Sequence, residues 1–99
     1  MDLNEMMAQA KEIQSRVGAV QESLGDVRVK GLAGNGAVIV EMTGKYDIVN
    51  VILADDITNK SATEIAALVK DAFMDAKQKA DVIIDKAMNA ATAGIDLPF

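Results

Sequence analysis

Apolar side chains recur along this chain with two different periods, and the changes of period divide it into three parts. From residue 2 to about 24, Leu3, Met6, Ala10, Ile13, Val17, Val20 and Leu24 are spaced alternately by three and four. That heptad seam predicts an amphipathic helix. Asp2 or Asn4 can cap its start and Gly25 supplies a stop. Glu12 and Arg16 form a favourably oriented i,i+4 pair on the outer surface. The seam has two readings. It packs on the chain's own sheet, or it adds a helix contact with another subunit.

Between about 26 and 54 the period falls to two, which predicts strands over about 26–33, 37–43 and 48–54. Asn35-Gly36 is a strong hairpin signal, a type I′ turn in which both residues take positive φ. Centred there, the turn pairs Ala33 with Val38, Gly31 with Val40, Val29 with Met42 and Val27 with Gly44. A second turn at Lys45-Tyr46 pairs Met42 with Val49, Val40 with Val51 and Val38 with Leu53. The two turns agree on the faces they produce. One face carries Val27, Val29, Ala33, Val38, Val40, Met42, Val49, Val51 and Leu53, and is expected to lie under the helices. The other carries Arg28, Lys30, Leu32, Ile39, Glu41, Thr43, Ile48, Asn50 and Ile52. Lys30 falls opposite Glu41 as a cross-strand ion pair. Leu32, Ile39 and Ile52 make an aliphatic row that a solvated face does not normally hold. With Ile48 they are the candidate interface of a homodimer.

The third part returns to the helical period. Ser61 and Glu64 have the spacing of a capping box, and a helix is expected from about 61 to 92. Ile65, Val69, Ala72, Ala76, Ala80, Ile83, Ala87 and Ala91 form its apolar stripe. The alanines allow a neighbouring element to approach closely. A helix of this length spans roughly 45 Å and should project beyond a small sheet. Gly94 is expected to end it. The tail Ile95-Asp-Leu-Pro-Phe99 reads either as an unstructured end or as a hook onto a neighbour.

Composition narrows the chemistry. The chain has 99 residues, 51% of them hydrophobic and 25% charged, which fits one domain with a modest core. Cysteine and histidine are both absent. That removes thiolate metal sites, disulfides and the usual general base at neutral pH. Ser15, Ser23 and Ser61 have no histidine to activate them, and Asp55-Asp56 reads as the polar end of a strand. No enzyme activity, cofactor or small-molecule substrate is expected. The acidic start lacks the basic region of a signal peptide, and the stretch Ile48 to Ala54 is too short to span a bilayer. A cytoplasmic location with no membrane partner is expected.

The net charge of −5 taken alone argues against nucleic acid. The relevant field, though, is that of one face, and a dimer can gather scattered lysines there. Lys70 and Lys77 lie seven apart on one face of the last helix, and Lys79 and Lys86 lie nearly opposite. Asp71, Asp75, Asp81 and Asp85 are interleaved. These lysines either decorate a solvated helix or, with Lys11 and Arg16, contact phosphates. No aromatic residues are interleaved with them, so base stacking is not expected and any DNA contact should be to the backbone.

The chain resembles the YbaB/EbfC family of small bacterial nucleoid-associated proteins. The similar features are the opening helix with "MMAQAKEIQ", the hairpin "VKGLAGNGAVIVEMTGK", the strand "IVNVILAD" and the long helix closing in "AGIDLPF". They cover nearly the whole chain, in order. The resemblance implies an α+β fold, α-β-β-β-α, with a three-stranded antiparallel meander and two long helices. It also implies homodimers with projecting helices in a tweezer-like arrangement, and nucleoid-associated binding of double-stranded DNA with little sequence preference. The first helix of such proteins is often lysine-rich. Here it carries Lys11 and Arg16 against Asp2, Glu5, Glu12 and Glu22. A dimeric protein-interaction module of the same fold is the alternative.

Overall fold

The structure is a computed structural model and describes residues 2–92. Helix α1 (Leu3–Leu24) is followed by strands β1 (Arg28–Ala33), β2 (Val38–Thr43) and β3 (Ile48–Leu53). A 3-10 turn (Asp55–Asn59) then leads into helix α2 (Ala62–Thr92). The strands form one antiparallel sheet in the order β1-β2-β3, so the expected α-β-β-β-α architecture is present. Gly94 and the apolar tail lie outside the described residues.

Local signals act as the sequence implies at three points. Asp2 Oδ1 accepts from Glu5 N at 2.8 Å and caps α1. Ser61 Oγ accepts from Glu64 N at 3.1 Å and caps α2. At the first hairpin Asn35 and Gly36 have φ of 57° and 87°. Ala37 N donates across them to Gly34 O at 3.2 Å, which closes the type I′ turn. Gly25, by contrast, ends α1 in right-handed geometry at φ −62°, so its positive-φ freedom is not used.

The second hairpin differs from the expected two-residue turn. Thr43 N donates to Asp47 O at 2.9 Å, leaving three loop residues, Gly44, Lys45 and Tyr46. Tyr46 takes φ 67°, the left-handed residue that ends this type of loop. Thr43 Oγ1 accepts from Lys45 N and Asp47 N and holds the loop closed. A three-residue loop is one residue out of step with the rest of the sheet. The offset is absorbed by a bulge: Glu41 pairs with Asn50, but Met42 pairs with Ile48 rather than Val49.

Packing departs further from expectation. Helix α2 lies across β1 and β2 and buries Val29, Val38, Val40 and Met42 beneath Ala72, Ala76 and Ala80. Ile57 from the 3-10 turn closes this core. The alanine stripe permits a very close approach, and Gly31 completes it. A Cβ on Gly31 would fall 2.0 Å from Ala72 O and 2.4 Å from Ala76 N. The helix does not extend over β3 as it does over β1 and β2. Val49, Val51 and Leu53, expected beneath the helices, are 43–49% exposed. One helix cannot cover a third strand once it is seated directly on the first two.

The expectation that α1 packs on the chain's own sheet is also overturned. The main packing of α1 is on α2. Its end touches the sheet, where Gly44 N donates to Leu24 O at 3.0 Å. From there α1 runs back along α2, and Arg16 Nη1 donates to Ala91 O at 3.5 Å. The two helices thus form an antiparallel arm. The first turns of α1 lie beyond that contact, with Leu3 71% exposed and Met6 and Met7 also open. The molecule extends 67 × 22 × 17 Å with a radius of gyration of 19.2 Å. A compact chain of this length would have about 13 Å.

Candidate nucleic-acid interface

The two helices carry all six cations that the sequence singles out, but the fold uses them differently. Arg16 is committed. Its Nη2 lies 2.6 Å from Glu12 Oε1, as the i,i+4 spacing predicts, while Nη1 reaches the Ala91 carbonyl. It therefore joins α1 to α2. Lys79 is committed as well. Its Nζ donates to Lys30 O on β1 at 2.7 Å and lies 3.1 Å from Asp75 Oδ2. Asp75 in turn accepts from Leu32 N at 2.9 Å.

Lys11, Lys70, Lys77 and Lys86 are exposed, and none of the four makes an ion pair among the described residues. They are not gathered into one patch. Lys70 and Lys86 sit about 24 Å apart along α2 at 1.5 Å per residue. Along the same helix Glu64, Asp71, Asp75, Asp81 and Asp85 outnumber the lysines. Lys45, in the β2–β3 loop, and Lys60, just before α2, are further exposed cations. Neither stands at helical spacing with the other lysines, so periodicity does not single them out.

The candidate interface on the sheet is similarly mixed. Leu32, Ile39 and Ile52 stand in register across the three strands, as the turns predict. The bulge separates Ile48 from that row by setting it opposite Met42. Ile48 and Ile52 are 52% and 40% exposed, and Leu32 is open too. Lys30 lies 4.0 Å from Glu41, the expected cross-strand pair. Together with the uncovered Val49, Val51 and Leu53, β3 presents apolar side chains on both faces.

Among the described residues, two groups where α2 meets the sheet have displaced titrations. Hydrogen bonding from Leu32 N, then from Lys79, holds the Asp75 carboxyl below its usual range. A depressed folded-state value means this contact stabilises the protein above the ordinary carboxylate range and is lost as pH falls. Tyr46 O–H donates to Asp81 Oδ1, which latches the β2–β3 loop to α2. That bond raises the phenol above its ordinary value, with desolvation and the charges of Asp81 and Asp85 adding to it. The folded-state value is raised, so this latch holds below pH about 10 and is lost as pH climbs through the folded value. Tyr46 is the only tyrosine, so its absorbance reports it alone. The tyrosinate band should appear at higher pH than in an unfolded control, and Asp81→Ala should bring the midpoint back down. An unshifted midpoint in the native protein would refute the latch.

An open cleft of about 350 Å³ lies beside this latch, lined by Gln21, Leu24, Gly44, Lys45, Ile84 and Met88. Asp55 and Asp56 open the 3-10 turn and both are exposed.

The model of the YbaB/EbfC DNA-binding family matches residues 1–95. A nucleoid-associated protein of Bradyrhizobium diazoefficiens is 35% identical over 94 residues, covering 94% of this chain and 89% of that protein. One from Nitrobacter hamburgensis is 37% identical with the same coverage. One from Hyphomonas neptunium is 31% identical, covering 94% of this chain and 87% of its own length. Among solved structures, an uncharacterized protein of Helicobacter pylori superposes with a TM-score of 0.67. It is 14% identical, covering 78% of this chain and 90% of that one, a likeness of fold.

Proposed function

We propose that this chain, which belongs to the YbaB/EbfC DNA-binding family, is a cytoplasmic, nucleoid-associated protein that acts as a homodimer. In this reading it binds double-stranded DNA through the phosphate backbone with little regard to base sequence. The observation that carries the reading is the family match across nearly the whole chain, joined by relatives that are themselves named nucleoid-associated proteins. No helix among the described residues is long and apolar enough to cross a membrane.

The dimer is supported by β3. A small sheet that leaves one strand apolar on both faces and unpaired along its outer edge has an unfinished core. A second copy of β3 completes it by a two-fold operation, because a patch that is self-complementary closes in one step. Leu32, Ile39 and Ile52 then line the contact as one row, with Ile48 beside it but set apart by the bulge, and the arms project from the joined sheet.

DNA is held by the arms. Lys11, Lys70, Lys77 and Lys86 are the cations left for phosphate, while Arg16 and Lys79 serve the fold. A dimer offers two sets, and the neighbouring aspartates hold several back. With about four phosphates neutralised, log affinity should fall against log salt with a slope of only about −3 to −4. Titrating random-sequence duplex in a gel-shift assay across a salt series tests this. Binding should be present in dilute salt and nearly gone at physiological salt. Lys77→Glu or Lys86→Glu should weaken unrelated duplexes alike. Salt-insensitive or strongly sequence-selective binding would contradict the mechanism. The charge of −5 and the two committed cations favour one other reading, a dimeric protein-interaction module. Complete absence of binding at the lowest salt would support it.

A further inference from the structure

An antiparallel three-stranded sheet has two outer edges, and in this protein they are treated in opposite ways. Alternation along β1 turns the N–H and C=O of Lys30 and Leu32 away from β2. Both residues are then met by side chains of α2. Asp75 Oδ2 accepts from Leu32 N at 2.9 Å, and Lys79 Nζ donates to Lys30 O at 2.7 Å. The pair is internally matched, one acceptor for the outward donor and one donor for the outward acceptor, and its members lie 3.1 Å from each other. On β3, the same alternation turns Val51 and Leu53 outward. No hydrogen bond among the described residues reaches that edge.

We propose that Asp75 and Lys79 are an edge guard, which closes β1 to strand addition so that assembly through this sheet stops at a single β3-to-β3 contact. The inference rests on the reading that a second copy occupies β3, and it adds what limits the assembly. A sheet with two open edges can pair at both and grow into a ribbon. A sheet with one guarded edge pairs once. Ordinary guards are a proline or a lone lysine pointing outward. Here the guard is borrowed from the helix that covers the sheet, and it satisfies the edge instead of merely obstructing it. The one-turn spacing of Asp75 and Lys79 on α2 spans the spacing of Leu32 and Lys30 on β1. The seating of α2 at Gly31, between those two residues, brings the pair within reach.

The test is sedimentation of wild type and of the D75A/K79A variant over a range of concentration. Wild type is expected to remain a dimer, whereas the variant should form tetramers and longer ribbons as concentration rises. The size of the wild type tests the dimer reading. The growth of the variant beyond wild type tests the guard, so the two can fail separately. Hydrogen exchange at the Leu32 amide should quicken in the variant, which shows that the edge has been uncovered. If the amide quickens and the variant does not enlarge, the proposal is overturned. Should the double variant unfold, Lys79→Ala alone frees the Lys30 carbonyl while Asp75 still holds the strand. It should enlarge the assembly to a smaller degree, and Lys79→Arg, which keeps the donor, should restore the dimer. Equal behaviour of Lys79→Ala and Lys79→Arg would overturn the guard as well.

Discussion

Gly31→Ala is expected to lower the melting temperature by about 10–20 °C, the largest effect of a one-carbon change in this protein. The added Cβ would stand 2.0 Å from Ala72 O, 2.4 Å from Ala76 N and 2.7 Å from Ala76 Cβ. Two of those atoms are helix backbone, so no rotamer change relieves the clash. Helix α2 must lift as a body from β1, loosening the alanine contacts that bury Val29, Val40 and Met42. Overpacking of this kind costs about 1–3 kcal/mol and occasionally more, and in a domain of this size each kcal/mol is worth about 4–8 °C. Gly18→Ala is the control with the opposite sign. It lies within α1 with nothing within 4 Å of the added carbon, so the helix should gain up to about 1 kcal/mol. Thermal unfolding followed by far-UV circular dichroism gives both values. A Gly31→Ala protein that melts with wild type would mean that α2 is not seated on β1 as described.

The second large effect is expected at Ile52. Ile52→Lys puts an ammonium at the β3 end of the aliphatic row, and two-fold symmetry about β3 puts a second one close by. A buried unpaired charge costs a few kcal/mol, and about 1.4 kcal/mol is a factor of ten in Kd. The dimer should therefore weaken by about a thousandfold or more and sediment as a monomer at micromolar concentration. The monomer should remain folded, because Ile52 already stands 40% exposed in the single chain. DNA affinity should fall in parallel, since each monomer brings half the lysines. An Ile52→Lys protein that still sediments as a dimer would move the contact away from β3.

Much of this architecture is legible in the residues. The seam from Leu3 to Leu24, the stripe from Ile65 to Ala91 and the Asn35-Gly36 turn specify the element order and the register of β1 on β2. What the sequence conceals is coverage. Alternation marks a face as apolar, but it does not say what lies over it. The valines of β2 and those of β3 look alike, and only the width of one helix decides that Val38 is buried and Val51 is not. The bulge at Val49 was hidden for a different reason. Tyr46 in the left-handed region is not a residue that advertises positive φ, so the loop appeared one residue shorter than it is. The candidate DNA contacts were the least legible. Spacing put Lys79 beside Lys86, but the nearness of β1, which decides that Lys79 is spoken for, arises from Gly31, some fifty residues earlier.

The antiparallel arm has a consequence for the order in which the chain acquires its structure. Helix α1 leaves the ribosome before the sheet and well before its own partner, the far half of α2. The Arg16 contact to Ala91 spans 75 residues. At about 5–20 residues per second, some 4–15 s of synthesis separate the two ends. Throughout that interval the apolar seam of α1 has no surface of its own chain to cover it, and a lone helix of 22 residues with Gly18 inside is marginal in water. The meander, whose pairings are local, has no such wait. Helix α1, made before its partner, is thus the last element to be secured, and docking on α2 covers its later turns but leaves Leu3, Met6 and Met7 open.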